Sequence, residues 1–290
     1  MPNYEALHRL ELDYHEDTPR IPTRDGAELY YESRGEGTAI TLLNNFFMSA
    51  PSWRVFSEEL ARNYRVVSYD MCNHGASSHH DEEPTWEEHA ADVIGLLDAL
   101  EIESTYLVGT SISTALARDV ALRYPDRVRG LVLAGPVLGP RGMRRHRQIQ
   151  RAWLKTLEDH GMAGLFGHLY PEVISMEMNE AFGSPGFLGL RESFLAITTA
   201  EDLRNGLNLA LQGDTSPELL AHIQAPTLVV LGDDDNLLSP TGGQELAALF
   251  PNGRCEIVPK AGHVPFFDEP EYFQELIHKF VQESESAAHA

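Results

Sequence analysis

The amino-acid sequence predicts an α/β protein: a mostly parallel sheet of about eight strands, flanked by helices, with a helical cap inserted at one edge. Short apolar runs alternate with amphipathic helical patterns along most of the 290 residues, as in parallel sheets with crossover helices. Several runs are apolar at every position, which is typical of strands covered on both faces. The alternation stops once, over a long stretch of helical patterns.

The predicted strands are bounded by turn residues. They are 20–24, 28–33, 39–44, 65–70, 104–109, 128–134, 226–232 and 254–259. Arg24-Asp25-Gly26 joins the first two and is typical of a hairpin turn. The later runs, such as TLVVLG, favour buried positions in a parallel sheet.

Amphipathic helices are predicted between these strands. Thr85 and Glu88 have the spacing of a capping box, and apolar residues follow at helical intervals as far as Leu100. Near the end of the chain, Asp268 is the predicted cap of a last helix, whose apolar stripe includes Phe273 and Phe280.

The interruption of the alternation predicts two domains. Residues 1–136 and 218–290 form the predicted α/β core, and residues 137–217 form the predicted helical cap. The cap segment has no convincing strand and contains the Gly- and Pro-rich patch FGSPGFLGL. We expect it to lie over one edge of the sheet.

Composition argues against several classes of protein. The chain has 22 Lys and Arg against 44 Asp and Glu, a formal net charge of −22, so nucleic acids and anionic membranes would repel it. Its start has no apolar signal region, and no window is long and apolar enough to span a membrane. Cys72 and Cys255 are far apart and indicate reduced thiols. We expect a cytoplasmic protein that acts on a small molecule and binds neither nucleic acid nor membrane.

Three strand ends carry side chains suited to nucleophilic catalysis. Strand 104–109 leads to Ser111, strand 226–232 to the aspartates at 233–235, and strand 254–259 to His263. Carboxyl ends of parallel strands meet at one edge of the sheet, where ligands bind. A serine nucleophile needs an adjacent base, histidine titrates near neutral pH, and a carboxylate can orient the histidine. The sequence therefore predicts a Ser–His–Asp site.

Small residues flank Ser111 in the segment LVGTSISTALA. Gly109 and Ser113 stand two positions before and after it, as a strained turn from strand to helix requires. The triplet Gly109-Thr110-Ser111 by itself would favour an ordinary serine at the N-cap of a helix. The Asp and His residues at neighbouring strand ends favour the interpretation of Ser111 as a nucleophile.

Several motifs in order give the chain a resemblance to the α/β-hydrolase fold family over about residues 20–282. The order Ser, Asp, His is the family's order. The matching segments are SYDMCNHGASS for its D-x-R-G-H-G-x-S loop, YPDRVRGLVLAGP for a core strand, LVVLGDDDNLLSP for its acid loop and AGHVPFFDEPEYF for its histidine loop. The family spacing selects Asp235 as the acid, with Asp234 as the rival. The resemblance implies an enol-lactonase- or esterase-like serine hydrolase with a helical cap.

The chain departs from the family pattern at three places. Ser113 stands where glycine is usual, Cys72 and Asn73 replace Arg-Gly, and NNFF (44–47) replaces a His-Gly loop.

The NNFF segment belongs to the loop that supplies part of the oxyanion hole. Any residue except proline has the N–H that this hole requires. By position, the resemblance assigns the hole to the backbone amides of Phe46 and Ile112. Phe47, Trp153 and Val264 are the expected substrate-pocket residues.

The predicted function is hydrolysis of a small to medium carboxylic ester or lactone through an acyl-enzyme. A carbon–carbon bond hydrolase, a thioesterase, a cofactor-free haloperoxidase or a low-turnover receptor would fit the same triad. No metal or dinucleotide motif is present, so no metal and no cofactor are expected. The basic run RGMRRHRQIQR, from Arg141 to Arg151, fits either a solvated helix face or a clamp for a carboxylate-bearing substrate.

Overall fold

A seven-stranded sheet forms the centre of the computed structural model, which describes residues 9–10, 12–18, 20–23, 26–45, 47–80, 84–212 and 216–288. The strands are β3 (Tyr31–Arg34), β4 (Ala39–Leu43), β5 (Arg65–Tyr69), β6 (Thr105–Thr110), β7 (Val128–Ala134), β8 (Thr227–Gly232) and β9 (Gly253–Val258). Their order in the sheet is β3-β5-β4-β6-β7-β8-β9. Only the β3–β5 pair is antiparallel. This arrangement confirms the predicted fold class.

The first predicted hairpin differs in detail from the expectation. β1 (Ile21–Pro22) and β2 (Glu28–Leu29) pair as a separate two-stranded ribbon, and the predicted strand 28–33 divides at Tyr30. The Tyr30 amide donates to the Ser77 hydroxyl at 2.9 Å, and the Tyr30 carbonyl accepts from the Asp70 amide. Because these partners occupy the backbone of Tyr30, the main sheet begins only at Tyr31.

Helices cover both faces of the sheet. In the core they are α1 (Trp53–Phe56), α2 (Trp86–Ala99), α3 (Ser113–Arg123), α7 (Pro240–Ala247), α8 (Pro265–Asp268) and α9 (Pro270–Ala288). Short 3₁₀ helices lie at Ala50–Ser52, Leu60–Arg62, Pro125–Arg127 and Pro217–His222. The capping box is present at α2: the Glu88 amide donates to the Thr85 hydroxyl, and the Thr85 amide donates to the Glu88 carboxylate.

Successive side chains of a strand point to opposite faces of the sheet. In the central strands, neighbouring residues accordingly contact different apolar clusters. Val132 and Val230 belong to a cluster with α1, α8 and α9, whereas Leu131 and Val229 belong to one with α2, α3 and α7. The sheet therefore lies between two layers of helices.

Between β7 and β8 the described residues form three α-helices: α4 (Gly139–Val173), α5 (Met176–Ile197) and α6 (Ala200–Gln212). α4 and α5 each bend sharply at a glycine with positive φ, Gly161 at 67° and Gly183 at 52°. Glycine tolerates this left-handed backbone, which other residues rarely adopt. The division of the chain into a core and a cap at 137–217 stays a prediction. Among the described residues, no helix is long and apolar enough to cross a membrane.

Candidate active site

Ser111 occupies a strained turn between β6 and α3. Its φ is 51°, in the left-handed region that a non-glycine residue rarely adopts. Its amide donates to the Ala134 carbonyl of the neighbouring strand at 2.8 Å. A Cβ on Gly109 would lie 2.8 Å from the Ser113 carbonyl oxygen and 3.0 Å from the Thr114 Cα. Glycine at 109 therefore allows the helix to pack closely against the strand that carries Ser111.

The hydroxyl of Ser113 connects the same turn to the sheet through hydrogen bonds. The Thr110 amide donates to Ser113 Oγ at 2.8 Å, and Ser113 Oγ lies 2.8 Å from the Leu43 carbonyl oxygen, to which it can donate. Leu43 ends β4, so the hydroxyl joins two strand ends. The serine that replaces the family's glycine is fully buried and has hydrogen-bond partners.

The structure brings Ser111, His263 and Asp235 into one hydrogen-bonded chain. Ser111 Oγ lies 2.9 Å from His263 Nε2, and His263 Nδ1 lies 3.1 Å from Asp235 Oδ2. His263 and Asp235 are buried. Asp235 Oδ1 accepts the amides of Leu237 and Leu238 at 2.7 and 3.0 Å. This geometry can make the serine a nucleophile, with the imidazole as base and the carboxylate orienting it.

The three consecutive aspartates have different partners. Asp233 Oδ1 accepts the Lys260 amide at 2.7 Å, whereas Asp234 Oδ2 accepts the Met176 amide at 2.8 Å. Asp234 thus holds the start of α5, and Asp233 holds the loop that leads to His263. Of the three, Asp235 contacts the imidazole.

The loop of His263 is bound to the junction between α4 and α5. The His263 amide donates to the Val173 carbonyl at 3.0 Å. Asp268 accepts the Ser175 hydroxyl at 2.6 Å and the Gly262 amide at 2.8 Å. The sequence-based assignment of Asp268 as a helix cap is wrong, because its carboxylate faces this loop. Burial raises the pKa of Asp268 to about 6, although these hydrogen bonds act in the opposite direction.

One of the two residues expected to form the oxyanion hole, Ile112, follows β6 and Ser111, and the other, Phe46, follows β4 in the sequence. Phe46 lies outside the described residues, and Ile112 immediately precedes α3, where helix amides lack intrahelical acceptors. Asn45 Oδ1 accepts the Phe47 amide at 2.8 Å. Asn44 donates to the buried Asp70 at 3.0 Å, which ties this loop to the end of β5. Sequence reasoning did not identify either asparagine amide as a support of the loop.

Ser111 and His263 open into a largely apolar cavity. Phe47, Trp153 and Val264, the three predicted pocket residues, line it. Its other described lining residues come from several elements: Leu10, Leu12, Asn45, Met48, Ser52, Phe166, Leu169, Tyr170, Val173, Ile174, Leu190, Ser193, Phe194, Ile197, Phe266 and Phe267. None of the described lining residues is Asp, Glu, Lys or Arg.

The described side chains of the basic run in α4 include exposed arginines and one buried histidine. Arg144, Arg145 and Arg151 are exposed, and none of them is among the described cavity residues. His146 of the same run is buried, and its Nε2 is bonded to the Gln150 amide. Burial lowers the pKa of His146 to about 3, and the nearby His263 acts in the same direction. Nothing in the sequence distinguishes this histidine from its basic neighbours.

No group of three His, Cys, Asp or Glu side chains within the described parts of the chain could hold a metal ion. Cys72 and Cys255 are both thiols and do not form a disulfide with each other. Burial and the neighbouring Glu256 raise the pKa of the Cys255 thiol to about 11, which keeps it protonated at neutral pH.

The fold is that of a known class of protein. Residues 38–270 match the family described as alpha/beta hydrolase fold. The chain belongs to this family, which is one of hydrolases with small-molecule substrates.

Individual relatives are distant but extend over most of the chain. The 2-hydroxymuconate semialdehyde hydrolase of Pseudomonas sp. strain CF600 is 28% identical over 270 residues, covering 88% of this chain and 87% of the relative. Among solved structures, a thermophilic esterase from Thermogutta terrifontis superposes with a TM-score of 0.81 at 24% identity, over 92% of this chain and 98% of the esterase. The enol-lactonase from Burkholderia xenovorans LB400 gives 0.79 at 23% identity, over 91% and 100%. At these identities the two structures establish the shared fold.

Proposed function

We propose that this protein is a serine hydrolase that cleaves small to medium, uncharged carboxylic esters or lactones through an acyl-enzyme. The observation that carries the proposal is the 2.9 Å contact between Ser111 Oγ and His263 Nε2, at the wall of an apolar cavity. A serine hydroxyl so placed can lose its proton to the imidazole as it attacks a carbonyl carbon.

The mechanism follows from the roles of these groups. His263 takes the Ser111 proton as Ser111 Oγ bonds to the carbonyl carbon, and Asp235 stabilises the imidazolium. The backbone amide of Ile112 donates to the oxyanion, and Phe46 is the second donor predicted from its position. His263 then protonates the departing alkoxide. Water repeats the sequence on the acyl-enzyme and releases the acid.

The lining of the cavity supports an uncharged substrate. A carboxylate moved from water into an apolar cavity costs several kcal/mol unless a cation or hydrogen-bond donors compensate it. None of the described lining residues is Lys or Arg, and Arg144, Arg145 and Arg151 of α4 are exposed and not among them. This argues against a carboxylate clamp and favours ester or lactone substrates over anionic ones.

Active-site labelling tests the proposal. We expect intact-mass analysis after treatment with an alkyl fluorophosphonate to give one adduct on the wild-type protein and none on Ser111→Ala. Ser193→Ala is the matched control, because Ser193 lines the same cavity and its hydroxyl donates to the Gly189 carbonyl at 3.1 Å, and it should keep the adduct. Ser111→Ala should also lower kcat for p-nitrophenyl butanoate by ~10⁵–10⁶-fold.

Two results would contradict the proposal. An adduct that persists on Ser111→Ala would assign the nucleophile to another residue. If the folded wild-type protein neither forms an adduct nor hydrolyses p-nitrophenyl butanoate, the alternative of a low-turnover receptor would be favoured.

A further inference from the structure

A segment near the amino terminus contributes to the wall of the cavity. Leu10 and Leu12 line it together with Phe266, Phe267 and Met48. Both leucines precede residue 38, where the match to the family begins. The two leucines therefore come from a part of the chain that the family pattern does not specify, whereas Met48, Phe266 and Phe267 lie within the matched range.

Contacts on both sides of Leu12 hold the segment against the core. Leu10 packs against the apolar cluster that contains Phe56 and Phe266. Arg9 forms an ion pair with Glu58 at 2.8 Å. These contacts fix the segment ahead of Leu12.

Beyond Leu12 the anchor is Tyr14. Its ring meets the ring of Tyr30 edge-on at 4.9 Å, and the amide of His15 donates to the Tyr30 hydroxyl at 3.1 Å. The Tyr14 hydroxyl is buried beside Asp70: a Cβ on Gly75 would lie 2.4 Å from that hydroxyl and 2.3 Å from Asp70 Oδ2. Burial and the Asp70 charge both raise the pKa of Tyr14, so its hydroxyl stays neutral at this site.

We infer that Leu12 is a specificity-determining residue, which limits the length of the substrate chain that the cavity accepts; this inference rests on the proposed esterase function. Leu12 is held between two anchored positions, so its side chain forms a fixed part of the wall. Aliphatic side chains discriminate by excluding or admitting methylene groups, and one methylene in an apolar pocket changes kcat/KM by about 10-fold or more.

The test uses two substitutions of opposite size. We expect Leu12→Ala to raise the ratio of kcat/KM for p-nitrophenyl octanoate over acetate by ~10-fold and Leu12→Phe to lower it by a similar factor. Asp13→Ala is the matched control, because Asp13 is exposed and is not among the described cavity residues; it should keep the wild-type ratio. Detachment of the segment would shift both Leu12 variants in the same direction, and opposite shifts therefore identify an effect of wall shape.

A second measurement separates this inference from the proposed function. Binding of 2-alkanones of five to eleven carbons, which cannot be hydrolysed, is followed by tryptophan fluorescence, since Trp153 lines the cavity. Leu12→Ala should move the preferred length upward, and Leu12→Phe downward, even in protein that hydrolyses nothing. Hydrolysis with unchanged length preference in both Leu12 variants would overturn the role of Leu12 and leave the esterase intact. If the Leu12 variants shift the preferred ketone length but the protein hydrolyses no ester, the esterase proposal is overturned and the role of Leu12 stands. If the wild-type protein binds no ketone, the role of Leu12 is overturned.

Discussion

At the scale of single residues, hydrogen-bond geometry distinguishes three aspartates that are adjacent in sequence. Asp233 and Asp234 accept backbone amides of neighbouring loops, whereas Asp235 contacts His263 Nδ1 at 3.1 Å and is itself held by two amides. A carboxylate at Nδ1 fixes the imidazole tautomer that leaves Nε2 free to accept the serine proton. Identical side chains thus have different chemical roles because the turn after β8 directs them to different partners.

Substitution of these aspartates tests the assignment. Asp235→Asn should lower kcat by ~10⁴-fold, because an amide favours the wrong tautomer of His263. Asp234→Asn retains an oxygen that can accept the Met176 amide and should keep kcat within about threefold. Steady-state kinetics on p-nitrophenyl butanoate measure both values. Equal losses in the two variants would be incompatible with Asp235 as the orienting acid.

At the scale of elements, the junction of α4 and α5 is hydrogen-bonded to both loops that carry the acid and the base. Val173 accepts the His263 amide, Met176 donates to Asp234, and Ser175 donates to Asp268. Asp268 also accepts the Gly262 amide, next to His263. The helices α4 and α5 therefore support the position of the imidazole and also form part of the cavity wall.

The buried carboxyl of Asp268 makes stability depend on pH in a definite direction. Its folded-state pKa is raised from 3.8 to about 6, so the folded protein holds this proton to higher pH than the unfolded chain does. The stabilisation is fully present below about pH 4, is lost as pH rises towards about 6, and amounts to on the order of 2–3 kcal/mol. Asp268→Asn lacks this titration. Its free energy of unfolding, measured in urea from about pH 4 to 8, should fall less between about pH 4 and 6 than that of the wild type.

Asp233→Asn is the control for this comparison, because it retains an acceptor oxygen for the Lys260 amide. It should keep the wild-type pH dependence, to which the buried Asp70 also contributes, since burial raises its pKa to about 6. If the free energy of unfolding changes with pH in the same way for wild type and Asp268→Asn, Asp268 has the same pKa in the folded and unfolded states.

At the scale of the whole molecule, charge and cavity act together on substrate choice. The chain has a formal net charge of −22, so its field repels anions before they reach the cavity. Inside, the described lining residues are mostly apolar and include no Lys or Arg. We therefore expect long-range repulsion and local desolvation to disfavour the same class of substrate, namely anionic ones.

A comparison of two phenyl esters tests this selection. We expect kcat/KM for phenyl butanoate to exceed that for the monophenyl ester of succinic acid by ~10²–10³-fold, because the free carboxylate must be desolvated. Added salt should reduce only the part of the difference that comes from long-range repulsion. Leu190→Lys places a cation at the cavity wall. It should therefore lower the ratio of kcat/KM for phenyl butanoate over kcat/KM for the succinate monoester. Equal kcat/KM values for the two esters in wild-type protein would refute the preference for uncharged substrates.

Much of this architecture was predictable from local sequence. Apolar runs bounded by turn residues identified the strands of the main sheet, because each run must bury its side chains whatever its neighbours are. Small residues around Ser111 predicted the sharp turn, for which the close approach at Gly109 gives the reason. The division of strand 28–33 at Tyr30 was not predictable, since it depends on Ser77, which is distant in sequence.

The sequence by itself determined the fold class, the order of the strand ends and the residue types at them, because periodicity and turn chemistry act over a few neighbouring residues. The tertiary structure distinguished Asp235, which the family spacing favours, from its rival Asp234, and it was needed to show that Asp268 faces the His263 loop and that Leu12 reaches the cavity. Each of these depends on contacts between segments far apart in the chain. Such contacts are fixed by packing and by the need of buried polar groups for partners, which no local pattern records.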